Sequence, residues 1–160
     1  KKFEDDCVLK RVAHTWAMND HNVQISSTMK SNITWLSSYL ERCAMKTPLM
    51  SELLPLSKSR GIDEIELKQL LKYLIGNNDI YCVDGNYIHA KIVDGSRETL
   101  LDELCSRGEG MTVSQFRDLI GGNRKICLLL ISLFDSEEVT LRVGDLRVVT
   151  EKGRAFCVKA

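Results

Sequence analysis

The sequence predicts an α+β fold, mainly α with small β-hairpins, and three observations carry that expectation. Apolar residues recur at three- and four-residue steps through most of the chain, as amphipathic helices require. Two short strand pairs close on two-residue turns, Asp84-Gly85 and Gly144-Asp145. The order helix, turn, helix, strand, hairpin, strand occurs twice, over 47–90 and 111–150. That order is a winged helix-turn-helix, so tandem copies are expected, with Gly85 and Gly144 in equivalent places.

Taken in order, residues 3–18 set Phe3, Val8, Leu9, Val12, Ala13, Trp16 and Ala17 at helical spacing. Asn19-Asp20 stops that predicted helix, and 21–25 alternates like a short strand. The stretch 1–26 is therefore expected to be the tail of a preceding winged helix. Ser27 caps the next helix, which carries Ile33, Leu36, Leu40 and Cys43 on one stripe. Thr47 is the expected N-cap of another, with Pro48 at its first position and Met50, Leu53, Leu54 and Leu56 inward.

A helix beginning near Asp63 follows, with Ile65, Leu67, Leu70, Leu71, Leu74 and Ile75 in helical period and Gly76 suited to a left-handed cap. Strands at 79–83 and 86–89 flank the first turn, and a helix over 92–105 puts Ile92, Leu100, Leu101 and Leu104 inward. Residues 107–110 form a flexible link. Beyond it come a short helix, a turn at Gly121-Gly122, a second, strongly apolar helix, and the second hairpin. The expected division is 27–106 as a spacer winged helix and 107–160 as a C-terminal one.

Composition narrows the function classes. The 44% hydrophobic content is that of a folded chain. No apolar run approaches the ~20 residues of a membrane span. Glu4, Asp5 and Asp6 argue against a signal peptide, and the missing initial Met suggests a fragment of a longer protein. Net charge is +0, which disfavours general nucleic-acid binding, although Lys and Arg outnumber acids within 111–160.

The six cysteines form no C-x-x-C pair, so a zinc site is not expected; most are expected to be buried thiols in a reducing cytoplasm. There is no phosphate loop, dinucleotide fingerprint or H-E-x-x-H. His14, His21 and His89 are isolated, with His89 expected to face solvent. No catalytic, metal or cofactor site is expected.

The candidate working surface lies in the second repeat. Asn123-Arg124-Lys125 opens its second helix, where free N–H groups and the positive dipole end receive phosphate. The following LLLISLF run is too apolar to be exposed along its length, so only the helix start presents polar side chains. At the wing, strand alternation turns Arg142 and Arg147 outward and packs Val143. Asp145 between two arginines fits a local ion pair. The sharper alternative is a carboxylate accepting from the N1–H and N2–H₂ donors of a splayed guanine in an RNA loop. In the first repeat the corresponding helix begins with Asp63, Glu64 and Glu66, which repel phosphate.

GGNRKICLLLISLFDSEEVTLRVGDLRVV resembles the last winged-helix domain of the bacterial selenocysteine-specific elongation factor SelB. The matching features are Asn123-Arg124-Lys125, the apolar run ending in Phe134-Asp135, and Arg142-Val143-Gly144-Asp145-Leu146-Arg147. Upstream, GIDEIELKQLLKYLIGNNDIYCVDGNYIHA is similar to the penultimate domain.

The resemblance implies binding of the hairpin loop of the selenocysteine insertion element (SECIS) in mRNA. That contact tethers a GTPase and its selenocysteyl-tRNA at the ribosome, at UGA codons, in cytoplasmic protein biosynthesis. It implies loop-backbone contacts from Arg124 and Lys125 and base contacts from Arg142, Gly144, Asp145 and Arg147. GTP and Mg belong to the parent's GTPase portion, and this monomeric stretch is implied to be non-catalytic and membrane-free. Leu141, Leu146 and Ile126 replace family residues that are often basic or aromatic. Residues 151–160 extend past the family's usual end.

Two rival readings remain at this stage. A DNA-binding regulator requires a recognition helix that is polar along its length. A protein-interaction module would use wing and helices as packing surfaces, as zero net charge allows.

Overall fold

A computed structural model describes the backbone of residues 9–12 and 15–18 and all of residues 26–157. At the N-terminal end, β1 (Leu9–Val12) pairs antiparallel with β2 (Thr15–Met18). Over 9–12 and 15–18, the expected helix is therefore replaced by paired strands. So short a run fits either period, and Val12, Thr15 and Trp16 favour extended backbone. Residues 3–8 and the strand expected at 21–25 lie outside the described residues, as do His14 and His21.

In the first repeat, α1 (Ser27–Cys43) is capped by Ser26 rather than Ser27: the Ser26 hydroxyl accepts from the Met29 N–H at 3.1 Å. The second helix, α2 (Met50–Lys58), starts later than Thr47-Pro48 suggests. Asn86 draws the segment before it into the wing. The Thr47 hydroxyl donates to Asn86 Oδ1 at 3.3 Å, Pro48 O accepts from the Tyr87 N–H at 3.0 Å, and Leu49 bridges to Asn86. Pro48 is tolerated because a strand edge leaves its missing N–H without consequence.

Asp63 caps α3 (Glu64–Gly76) as expected, accepting from the Glu66 N–H at 2.8 Å. Gly76 is not the left-handed residue; Asn78 is, with φ +59°, a conformation Asn tolerates. The hairpin β3 (Ile80–Val83) and β4 (Asn86–His89) leads directly into α4 (Ala90–Arg107). His89 is buried, contrary to its expected solvent position. As N-cap its Nδ1 accepts from the Lys91 N–H at 3.2 Å, and its Nε2 lies 3.3 Å from the Ser37 hydroxyl.

The second repeat runs β5 (Met111–Thr112), α5 (Val113–Ile120), α6 (Arg124–Ser136), β6 (Thr140–Val143), β7 (Leu146–Val149) and α7 (Glu151–Cys157). The strands order β5-β7-β6. The two wing turns differ. Asp84 and Gly85 are both left-handed, whereas of the second pair only Gly144 is, at φ +61°. Gly144 therefore matches Asp84, and the two glycines are not equivalent.

Two hydrophobic cores form. Leu36, Leu40, Leu53, Leu67, Leu70, Leu74 and Ile80 make the first. Phe116, Leu130, Phe134 and Val139 centre the second, which also takes Val93, Leu100 and Leu104 from α4 and Ile88 from the first wing. Full burial of each such side chain contributes ~1.5–3 kcal/mol. Sharing α4 and Ile88 thus ties the repeats together. Arg97 on α4 reinforces the tie, reaching Glu137 at 2.8 Å and lying 5.3 Å over the Phe134 ring.

Cys105 on α4 and Cys157 on α7 form a disulfide, so these two are not the free buried thiols expected. Of the described free cysteines, Cys127 alone is fully buried, Cys43 is half-buried and Cys82 exposed. Among the described residues no helix is long and apolar enough to cross a membrane.

Candidate nucleic-acid interface

The start of α6 is built by the turn before it. Gly121 caps α5 in the left-handed conformation at φ +66°. At Gly122 a Cβ would lie 2.9 Å from the Ile126 side chain. Asn123 then caps α6, its Oδ1 accepting from the Ile126 N–H at 3.0 Å. Arg124 and Lys125 stand exposed on the first turn, where helical N–H groups lack internal acceptors. Neither side chain forms an ion pair among the described residues.

Past this turn Ile126, Cys127, Leu129, Leu130, Ile131 and Phe134 are buried, and the exposed face continues through Leu128 and Ser132, without charge. Burial pushes the Cys127 thiol up, against the opposing field of Arg117.

The wing departs from its expected alternation by one face. Thr140, Arg142, Arg147 and Val149 share one side, and Leu141, Val143, Leu146 and Val148 the other, as the register Arg142↔Arg147 and Val143↔Leu146 shows. Asp135, at the end of α6, sets this. Its Oδ1 accepts from the buried Thr140 hydroxyl at 2.6 Å, and its Oδ2 from Arg147 Nε at 2.8 Å. Arg147 is consequently held against the helix, its side chain 13% exposed.

Val143, expected to pack, is 52% exposed, and Leu141 57%. Arg142 is exposed and bends over the turn, its Nε donating to Gly144 O at 2.9 Å. Asp145 is exposed at the tip with no ion-pair or hydrogen-bond partner among the described residues, so the local ion pair considered for it does not form there.

The candidates thus fall into two groups. Asn123, Arg124 and Lys125 lie at one end of α6. Arg142, Gly144 and Asp145 lie at the wing tip, whose anchor Asp135 is about 16 Å further along the helix axis at 1.5 Å per residue. No hydrogen bond or ion pair joins the groups among the described residues. Arg147 is placed to position the wing. Asp135 was missed as a candidate; its signal is a carboxylate five residues before a strand that begins with Thr140. In the first repeat the acids are engaged internally: Asp63 caps α3, Glu64 pairs with Lys68 at 2.6 Å, and Glu66 accepts from Asn32 at 2.8 Å. Among the described residues no cluster of His, Cys, Asp or Glu could hold a metal.

Residues 103–149 match the family model described as elongation factor SelB, winged helix. The C-terminal unit is similar to that winged helix. The fold is similar to that of the mRNA-binding domain of elongation factor SelB from E. coli, solved in complex with SECIS RNA. That likeness has TM-score 0.59 and 20% identity, over 79% of this chain and 100% of that one. It is also similar to part of a bacterial selenocysteine-specific elongation factor, EF-Sec, with TM-score 0.63 and 18% identity, over 93% of this chain. The chain spans 23% of that factor's length. No curated protein matches the chain by sequence.

Proposed function

We propose that this chain binds the loop of a SECIS-type mRNA hairpin as the C-terminal part of a selenocysteine-specific elongation factor. There it would tether the parent's GTPase, with its GTP and Mg, and selenocysteyl-tRNA at UGA codons on cytoplasmic ribosomes. The observation that carries this reading is a coincidence of place. The unit matching the SelB winged helix presents Arg124, Lys125 and Arg142 without acid partners, and Asp145 without a partner, among the described residues. In this reading Arg124 and Lys125 take loop phosphates, Asn123 fixes the helix start, and Arg142, Gly144 and Asp145 hold a splayed base. Arg147 acts through the wing it anchors. The chain itself contributes binding and no chemical step. A groove-reading DNA regulator is disfavoured because α6 offers positive charge only on its first turn.

The test is the electrophoretic mobility of a labelled SECIS-type hairpin beside a duplex DNA of equal charge. Hairpin binding at least about tenfold tighter than duplex binding, about 1.4 kcal/mol, is expected. Equal binding to both, or none to either, overturns the RNA reading.

One observation favours a second reading, a protein-docking wing. The first wing's Tyr81, Val83 and Ile88 pack into the second core. The matching face of the second wing, Leu141, Val143, Leu146 and Val148, is largely uncovered. Absence of hairpin binding would turn attention to that face.

A further inference from the structure

We infer that the bound RNA backbone continues past the loop site into the cleft between the two repeats, where Lys46 of the first repeat takes a phosphodiester together with Lys125. This rests on the RNA-hairpin reading and assigns the first repeat a binding role that its acidic α3 start does not suggest. The cleft encloses about 320 Å³, within the range of small-ligand sites. Tyr39, Lys46, Thr47 and Glu52 line it from the first repeat, and Asn123 and Lys125 from the second.

Its chemistry favours an anion. Lys46 and Lys125 are both exposed and have no acid partner among the described residues. Glu52 is the acid in the lining, and its carboxylate already accepts from the Leu49 N–H at 2.8 Å. Lys46 is also presented from an ordered loop. The Lys46 N–H donates to Cys43 O at 2.8 Å, and the next residue, Thr47, is buried and bonded to Asn86. A cation held on such a loop, across a cleft from the first turn of α6, extends the positive charge of that turn onto the first repeat. Lys58 at the far end of α2, Lys68 on α3 and the acids around α3 do not line the cleft.

The test is fluorescence anisotropy with a labelled SECIS-type hairpin across a salt series, comparing wild type, Lys46→Ala, Lys46→Glu and Lys58→Ala. Removal of one phosphate-contacting lysine lowers the salt slope by about one and weakens binding uniformly across loop sequences. Lys46→Ala is therefore expected to lose affinity to the same degree for a cognate loop and a loop with its purine replaced. Lys46→Glu loses more, and Lys58→Ala stays at the wild-type value. Unchanged affinity and slope in both Lys46 variants overturn the cleft assignment while leaving the loop site standing. Failure of the wild type to bind the hairpin overturns both.

Discussion

Asp135→Ala removes the group that decides which way the wing faces. Its carboxylate accepts from the Thr140 hydroxyl at 2.6 Å and from Arg147 at 2.8 Å. Thr140 is 2% exposed, and the Arg147 side chain 13%. Truncation leaves a buried hydroxyl unpaired, at roughly 1–3 kcal/mol. It also strands a guanidinium that retains little solvent. Breaking a fully buried ion pair costs about 3–5 kcal/mol, and residual exposure on both partners reduces that.

A total near 2–4 kcal/mol follows, read as a lower urea midpoint at unchanged slope. Asp135→Asn keeps an acceptor for Thr140 and should lose about half as much. In a double-mutant cycle, Arg147→Leu should recover part of the Asp135→Ala loss, because no stranded charge remains. Hairpin affinity should fall with wing order in Asp135→Ala although the residue touches no RNA. An Asp135→Ala midpoint matching wild type, or an Arg147→Leu change that simply adds, would refute the anchoring role.

Gly153→Ala is expected to destabilise α7 by about 1–3 kcal/mol, the range for overpacking, since a Cβ there would stand 2.3 Å from Val139 O; urea unfolding checks it. Among the described free thiols, labelling followed by mass spectrometry should modify Cys82 fastest and spare Cys127, which is buried with its thiol pushed up by that burial. Cys105 and Cys157 should label only after reduction. Leu141→Arg adds a cation to an exposed wing position and should steepen the salt dependence of hairpin binding by ~0.7–0.9, one phosphate contact.

Local signals placed much of this fold and rather less of its surface. The repeat was legible because α3 and α6 carry strong helical periods and both wings close on two-residue turns. The misplacements came from partners distant in sequence. Thr47 looks like a cap until Asn86, far along the chain, takes its hydroxyl. His89 looks exposed until Ser37, from α1, meets its ring.

The wing alternation was the costliest misreading for function. A period of two tells which residues share a face but not which face is inner. Asp135 makes that choice, and it turns Arg147 inward and Val143 outward. The disulfide was likewise invisible, because Cys105 and Cys157 meet only once α7 folds back on α4. At the start of α6, local reasoning sufficed: a capping Asn123, two cations and an apolar run restrict the positive charge to one turn.

The central claim is that the wing tip reads an unpaired loop base through Asp145. The most direct measurement is the affinity of wild type and Asp145→Ala for two hairpins, one with a loop guanine and one with that guanine replaced. A two-pronged base contact is worth about 1–3 kcal/mol of discrimination. Asp145→Ala is expected to lose affinity for the guanine loop by that amount and to change binding to the other hairpin less than about twofold. Equal losses on both hairpins, or none on either, would contradict it.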